Sequence, residues 1–450
     1  MAKYKNTKQI AKSAKKEISD SKLHKYLIAI PLIALTIKLI TMLNIQAGAW
    51  YGADGENYMT GVDGLLTQGF FSTEPLLSYW PAGYPLLMWP IALISQPKFF
   101  YLLTILQSIF FAYATYFFTK KMACSSLKNF AFWSSIILSF NPTLSLSSIS
   151  VGYEAPIAAC FMMIAGTILA TFNQPIDKKF WIAVASVGGW FALATLMQPR
   201  FLLTAIIIAV MWALKVVGNK NRIRVAALVI AIMMIAPGIM IFRNAVSIDK
   251  ATISTNLGAT MRIGAGPETT GGYVRKGPEV PCEPKVSATS VTDNELVACV
   301  LKWYLTNPLD TVRLSFNKAI LFWSPWDGPL SVNGTMARNP WLKISPVLKI
   351  AKSSQDGREV VFGFFSYAIS YLWLVGQVLF LFLGYRSLGK LGTNEKFFAK
   401  VLLAPVLVSW LLALGTIGDH RFRVPTMSMS LVLQVVAVLA IRKKLNSKVG

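Results

Sequence analysis

The run from Leu27 to Ile45, LIAIPLIALTIKLITMLNI, is followed almost at once by Trp50-Tyr51-Gly52-Ala53-Asp54-Gly55-Glu56-Asn57-Tyr58. At 1.5 Å per residue the first stretch is long enough, as a helix, to cross a hydrocarbon core of about 30 Å. The second sets an acidic pair just beyond its end. Working outward, apolar runs of similar length recur through all 450 residues, 54% of which are hydrophobic, and the mean hydropathy is +0.52. This is the composition of a polytopic α-helical membrane protein, and the reading predicts an all-α bundle.

A net charge of +24 would point a soluble chain toward nucleic acid. Here the Lys and Arg fall in short connectors between apolar runs, so the tendency of cytoplasmic loops to be basic accounts for most of the charge, and no nucleic-acid partner is expected. The tail Lys3, Lys5, Lys8, Lys12, Lys15, Lys16, Lys22 and Lys25 reads as a topology signal touching anionic lipid. A basic tail, an apolar core and Ala47-Gly48-Ala49 superficially resemble a cleavable signal, but the run exceeds the usual signal core of about 7–15 residues and is read as a retained helix.

About ten spans are expected, near residues 27–45, 99–119, 130–150, 155–173, 181–198, 201–217, 224–242, 361–385, 398–416 and 424–441. The domains follow: a basic cytoplasmic tail (1–26), a first span (27–45), an outer loop with interfacial helices (46–98), a transmembrane bundle (99–242), a long extracytoplasmic loop (243–360), C-terminal spans (361–441) and a cytoplasmic tail (442–450). Both ends are then cytoplasmic. The inner connectors carry Lys120, Lys121 and Lys128; Lys178 and Lys179; Lys215, Lys220, Arg222 and Arg224; Arg386, Lys390, Lys396 and Lys400; and Arg442, Lys443 and Lys444. In the loop 46–98, Asn57 to Gln68 reads as an interfacial helix, Pro81 and Pro85 break the chain, and Leu86 to Ile94 is too short to span. In the loop 243–360, Thr292 to Leu305 is helix-like, with Asp293 and Glu295 at its start and Asn307-Pro308 after its end. Cys282 and Cys299 share this loop, where an oxidising compartment permits a disulfide. No CxxC or HxxxH spacing exists and the only histidines are His24 and His420, so a Cys/His zinc site is not expected.

Ionisable residues at the outer junctions carry the chemistry. A partly shielded Asp54 or Glu56 carboxylate suits a general base for an acceptor hydroxyl or amine; Asp54 also suits a plain loop acid or a cap on the next helix. Two acids without further oxygen ligands are a weak cation site, and no metal is assigned. Glu154, in Gly152-Tyr153-Glu154-Ala155-Pro156, is either an intramembrane functional acid or a surface acid in a tight turn. Arg200 and Arg243 occupy comparable junctions and can also snorkel to lipid phosphates. Asp419-His420-Arg421-Phe422-Arg423 packs three potential cations onto a face otherwise poor in Lys and Arg, which suits phosphate oxygens.

Together these segments resemble the GT-C superfamily of membrane glycosyltransferases, nearest its bacterial protein O-mannosyltransferase and lipid A aminoarabinose transferase types. The resemblance rests on Gly52-Ala53-Asp54 with Tyr58, Pro81-Ala82-Gly83-Tyr84-Pro85, Asn141-Pro142, Tyr153-Glu154-Ala155-Pro156, Arg243-Asn244, Ser254-Thr255-Asn256, Ile263-Gly264-Ala265-Gly266-Pro267, Thr270-Gly271-Gly272-Tyr273 and Arg421-Phe422-Arg423-Val424-Pro425. The chain departs from the family pattern at Tyr153, at Ala155 and at Met197-Gln198-Pro199-Arg200. The resemblance implies a polyprenyl-phosphate sugar donor, a glycan, lipid or protein acceptor, and chemistry without a cofactor. Asp54 and Glu154 would be the catalytic acids. Arg421 and Arg423 would hold the donor phosphate, with Arg243, Arg200 and Lys318 as further cations, and Glu56, Tyr58, Tyr84 and His420 would line the cavity. It further implies a bacterial inner membrane with the site facing outward. Flippases or exporters of lipid-linked saccharides place charge near the bilayer midplane, and O-antigen-type polymerases or ligases differ in product; both remain alternatives.

Overall fold

The computed structural model describes residues 2–43, 54–172, 174–216, 218–272, 280, 282, 292–323 and 366–449, with side chains except at 2–20, 142, 366–371 and 444–449. Gly52, Ala53, Tyr273 and Ala47-Gly48-Ala49 lie outside these residues. Among them every extended element is a helix: α1 Ala2–Leu43, α2 Gly55–Gln68, α3 Leu76–Tyr79, α4 Gly83–Ile94, α5 Phe99–Ala123, α6 Lys128–Phe140, α7 Pro142–Leu146, α8 Glu154–Ala170, α9 Lys178–Met197, α10 Leu202–Lys215, α11 Asn219–Met233, α12 Ile235–Ile248, α13 Leu257–Ile263, α14 Asp293–Thr306, α15 Pro308–Trp323, α16 Ser366–Gly389, α17 Thr393–Gly415 and α18 Met427–Val449. Short 3₁₀ turns occupy Ser147–Ile149, Pro199–Phe201 and His420–Thr426.

Seven helical segments among the described residues are long and apolar enough to cross a membrane: Ser21–Leu43, Phe99–Ala123, Lys178–Met197, Asn219–Ile248, Leu372–Gly389, Thr393–Gly415 and His420–Lys443. The protein is a polytopic α-helical membrane protein, and these segments fall on seven of the about ten expected spans; among the described residues the runs at 130–150, 155–173 and 201–217 form shorter helices. The apolar run at 130–150 breaks at Asn141, which is extended before Pro142 and caps α7 by accepting from Leu144 N at 2.9 Å. The chain then turns through Ser147–Ile149 instead of continuing as a helix. α8 and α10 are also shorter than a full span. The segment from Arg243 begins as helix: α12 runs on to Ile248, because Arg243 and Asn244 find protein acceptors there.

α8 is buried along almost its entire length, from Glu154 to Leu169, as befits a helix that is apolar all round. It packs against α5, α9, α17, α18 and the turn His420–Thr426, so whatever its N-terminus carries is held at the centre of the bundle. Between apolar helices in lipid, close approach depends on small residues. Gly83 is one: a Cβ there would strike the Leu196 carbonyl, so α4 seats directly against the end of α9. This fixes Tyr84, the next residue.

The bundle has two chemically different ends. At one, connectors after α5, after α8 and before α17 meet, bringing Lys121, Ser126, Gln174 and Glu395 around one cavity of about 350 Å³. The other end carries Asp54, Glu154, Arg200 and Arg421.

Beside that end sits a module made of α13, α14 and α15. Thr292 and Glu295 form a reciprocal capping box on α14, and Asp293 Oδ1 also accepts from Gly258 N at 2.6 Å. Met261, Ala265, Val280, Cys282 and Val300 make a small apolar core, which a Cys282–Cys299 disulfide closes. Replacing both cysteines with serine should therefore remove about 2–4 kcal/mol from the module's stability, read as earlier thermal unfolding and faster proteolysis in this segment. In the oxidised, denatured wild type, alkylation should modify Cys124 and Cys160 alone.

Candidate functional site

Arg421 is the centre of the site. The turn that carries it is capped by Asp419, whose Oδ1 accepts from Arg421 N at 2.7 Å and lies 3.3 Å from His420 Nδ1. The Arg421 guanidinium then reaches two acids: Nε donates to Glu154 Oε1 and Nη1 to Asp54 Oδ2. Both acids and the guanidinium are largely shielded from solvent. Both carboxylates depend on that one cation, since a buried carboxylate without its cation is strongly disfavoured.

The structure separates the competing readings of these acids. Asp54 stands at the N-cap position of α2 yet makes no side-chain capping bond; its carboxylate is spent on Arg421 instead. Glu154 is in the first turn of α8 but is buried, 8% exposed, and not a surface acid. Glu56, by contrast, is exposed on the first turn of α2, and Arg421 pairs with the other two acids.

Three tyrosines underlie the acids. Tyr58 meets Tyr84 edge-to-face at 5.1 Å and Tyr153 at 6.2 Å, while Tyr84 and Tyr153 lie 6.4 Å apart. Tyr84 Oη donates to Gln107 Oε1 at 3.4 Å and accepts from Gly152 N at 2.9 Å; Tyr153 Oη accepts from Gln198 Nε2 at 3.0 Å. The Tyr153 ring also lies 5.5 Å beneath the Arg421 guanidinium. Burial holds all three phenols above their ordinary range, most strongly for Tyr58, where Tyr153 and Asp54 add to the effect. The phenols therefore stay protonated near neutral pH.

The remaining cations differ in how they are used. Arg423 is 3% exposed; Nη1 donates to Trp323 O at 2.9 Å, and among the described residues Nε has no hydrogen-bond partner. Its guanidinium faces the Trp323 ring at 5.6 Å, and among the described residues no carboxylate pairs with it. Arg200 stacks on Phe422 at 4.4 Å and on Phe201 at 5.1 Å, beside the central turn.

Arg243 is committed to structure. It donates to the carbonyls of Phe70, Ser72 and Leu77 and to Asn244 Oδ1, clamping the loop between α2 and α4. Lys318 is likewise internal: Nζ donates to Tyr304 Oη at 2.9 Å and Leu414 O at 3.3 Å, tying α15 to the end of α17. Burial lowers Lys318 to about 7 and raises Tyr304 to about 12. Between about 7 and the ordinary 10.5 the unfolded chain holds a proton that the folded one has lost, so folding is favoured progressively as pH rises through that window. The thermal stability of wild type should thus gain on that of Lys318→Met between about pH 7 and 10; parallel melting curves would contradict this placement.

Sequence reasoning named Asp54, Glu154 and Arg421 but not the partnership among them, nor Gln107 or Trp323, and it met Gln198 only within a departure from the family pattern. The only signal for Gln107 was its place inside an otherwise apolar run.

No family model matches the sequence, and no curated protein matches it. Among solved structures, the chain aligns with the oligosaccharyltransferase AglB from Archaeoglobus fulgidus, in complex with an inhibitory peptide and a dolichol-phosphate, at 14% identity and a TM-score of 0.47, covering 93% of this chain and 51% of that one. The Archaeoglobus fulgidus oligosaccharyltransferase tethered to an acceptor peptide with the NVT sequon gives 15%, 0.48, 93% and 50%, and its apo form 12%, 0.46, 93% and 52%. The present chain spans about half the length of those solved chains.

Proposed function

We propose that this protein is an integral membrane glycosyltransferase that moves a sugar from a polyprenyl-phosphate donor to a hydroxyl or amine of a glycan, lipid or protein acceptor at the extracytoplasmic face. The observation that carries this reading is the Arg421 guanidinium set between the Asp54 and Glu154 carboxylates, with Arg423 in the same turn. A base and a phosphate-binding cation thus share one shielded place at the end of the bundle opposite the Lys-bearing connectors.

The reaction assigns each group a task. The acceptor oxygen or nitrogen attacks the anomeric carbon, the bond from that carbon to the phosphate oxygen breaks, and its electron pair leaves with the polyprenyl phosphate. The acceptor's proton passes to Asp54. Charge builds on the departing phosphate, where Arg421 and Arg423 offer guanidinium donors. Donor phosphate must compete with the carboxylates for Arg421, so entry of the donor loosens the Asp54 pair and frees its oxygen for the acceptor. Arg423, without a carboxylate among the described residues, is the cation first open to the phosphate.

The test is direct: purified protein in lipid nanodiscs, supplied with a panel of polyprenyl-phosphate hexoses and pentoses, is assayed for released polyprenyl phosphate and glycosylated acceptor. Sugar transfer is the expected result. Vesicle experiments in which an intact lipid-linked saccharide changes leaflet without being consumed would replace this reading with a carrier.

A further inference from the structure

One buried ionisable group pairs with neither acid and has no part in the mechanism above. Lys38 lies inside the first membrane-crossing segment, Ser21–Leu43, and is 2% exposed. Its Nζ donates to Ser148 Oγ at 3.1 Å and lies 4.8 Å from the centre of the Phe111 ring. Among the described residues no carboxylate pairs with it. An amine in a membrane helix is costly and usually marks a functional constraint, whereas Leu or Met would fill the same space without polar atoms.

What Lys38 touches explains its retention. Ser148 is a node: its Oγ donates to Ser145 O at 2.8 Å and lies 3.2 Å from Ser108 Oγ on α5. Four residues on, Gly152 N donates to Tyr84 Oη, which in turn donates to Gln107, the neighbour of Ser108. The segment from Ser148 to Gly152 is therefore pinned at both ends to one turn of α5, with Lys38 of α1 behind the first pin. Met42 of α1 packs with Leu146 and Ile149 beside it. Tyr153 and Glu154 follow directly.

We propose that Lys38 is a positioning residue for Glu154: by holding Ser148 it fixes where the 148–152 segment delivers the N-terminus of α8, and so where the Glu154 carboxylate meets Arg421. The placement is geometric, and only the kinetic arm of its test rests on the glycosyltransferase reading.

Two measurements decide it. In a Cys124→Ser background, the thiol of a Ser150→Cys variant is labelled with a water-soluble maleimide, with and without Lys38→Met. Loss of the Lys38 contact should raise the labelling rate several-fold, and an unchanged rate overturns the proposal. In the transfer assay, Lys38→Met should lower kcat about tenfold, the scale of a misplaced group. In a Glu154→Gln background the same substitution should add nothing further. An equal loss in both backgrounds means that Lys38 does not act through Glu154. Lys38→Gln, which keeps an N–H donor, should fall between wild type and Lys38→Met in both readouts and serves where the methionine variant expresses poorly. If no variant, wild type included, transfers sugar, the functional reading fails while the labelling result still judges Lys38.

Discussion

Asp54→Asn should abolish sugar transfer, lowering kcat by roughly 10²-fold or more, while leaving the protein folded and inserted. The amide is nearly isosteric and can still accept a hydrogen bond from Arg421 through its carbonyl oxygen, but it cannot take the acceptor's proton. The structure adds a second, opposite expectation. Because the Asp54 carboxylate occupies Arg421 Nη1 in the unliganded site, its neutralisation should leave the guanidinium more available, and the variant should bind polyprenyl phosphate more tightly than wild type. Measuring transfer and product binding on the same preparation separates the outcomes: loss of both signals misfolding, and near-wild-type turnover would remove Asp54 as the base and leave Glu154 to be tested next.

The second large effect concerns Arg421. Arg421→Ala should cost about 3–5 kcal/mol of stability, because it leaves Asp54 and Glu154 as buried carboxylates without their shared cation, and it should also end donor use. Arg421→Lys should recover folding better than activity: an ammonium keeps the charge but cannot reach both acids in the fork geometry that Nε and Nη1 provide. To keep catalysis apart from stability, Arg421→Met can be combined with both Asp54→Asn and Glu154→Gln, which removes the cation and both anions together. The triple variant should regain folded yield without regaining transfer. Arg423→Ala, at a site with no carboxylate to strand among the described residues, should instead spare stability more and weaken donor binding; a donor dependence equal to wild type would leave Arg423 as packing for Trp323.

Much of the outline was legible in the sequence. The apolar runs fixed an all-helical membrane bundle because a backbone in lipid must satisfy its own hydrogen bonds. The α2 helix, the short α4 after Pro81 and the capped α14 were readable from local signals: an amphipathic turn, proline breaks, and Thr292 with Glu295. The run at 130–150 shows the limit of apolar length, since one Asn-Pro step outweighed a hydrophobic stretch. Arg243 shows another: a charged residue reads as a helix end until partners appear for it inside the protein.

For the site, sequence supplied the residue types and withheld their partners. Asp54, Glu154 and Arg421 are separated by 100 and 267 positions, and no local rule couples them. Sequence alone determined that acids and arginines gather at helix ends, because polar groups are driven out of the apolar runs. Only the tertiary structure decided that α2, the buried α8 and the turn before α18 meet, that two of the acids share one guanidinium, and that Lys38 stays buried to hold a serine. Those outcomes depend on helix packing over long separations, where the balance between burying a charge and pairing it is set by neighbours that the linear chain does not name.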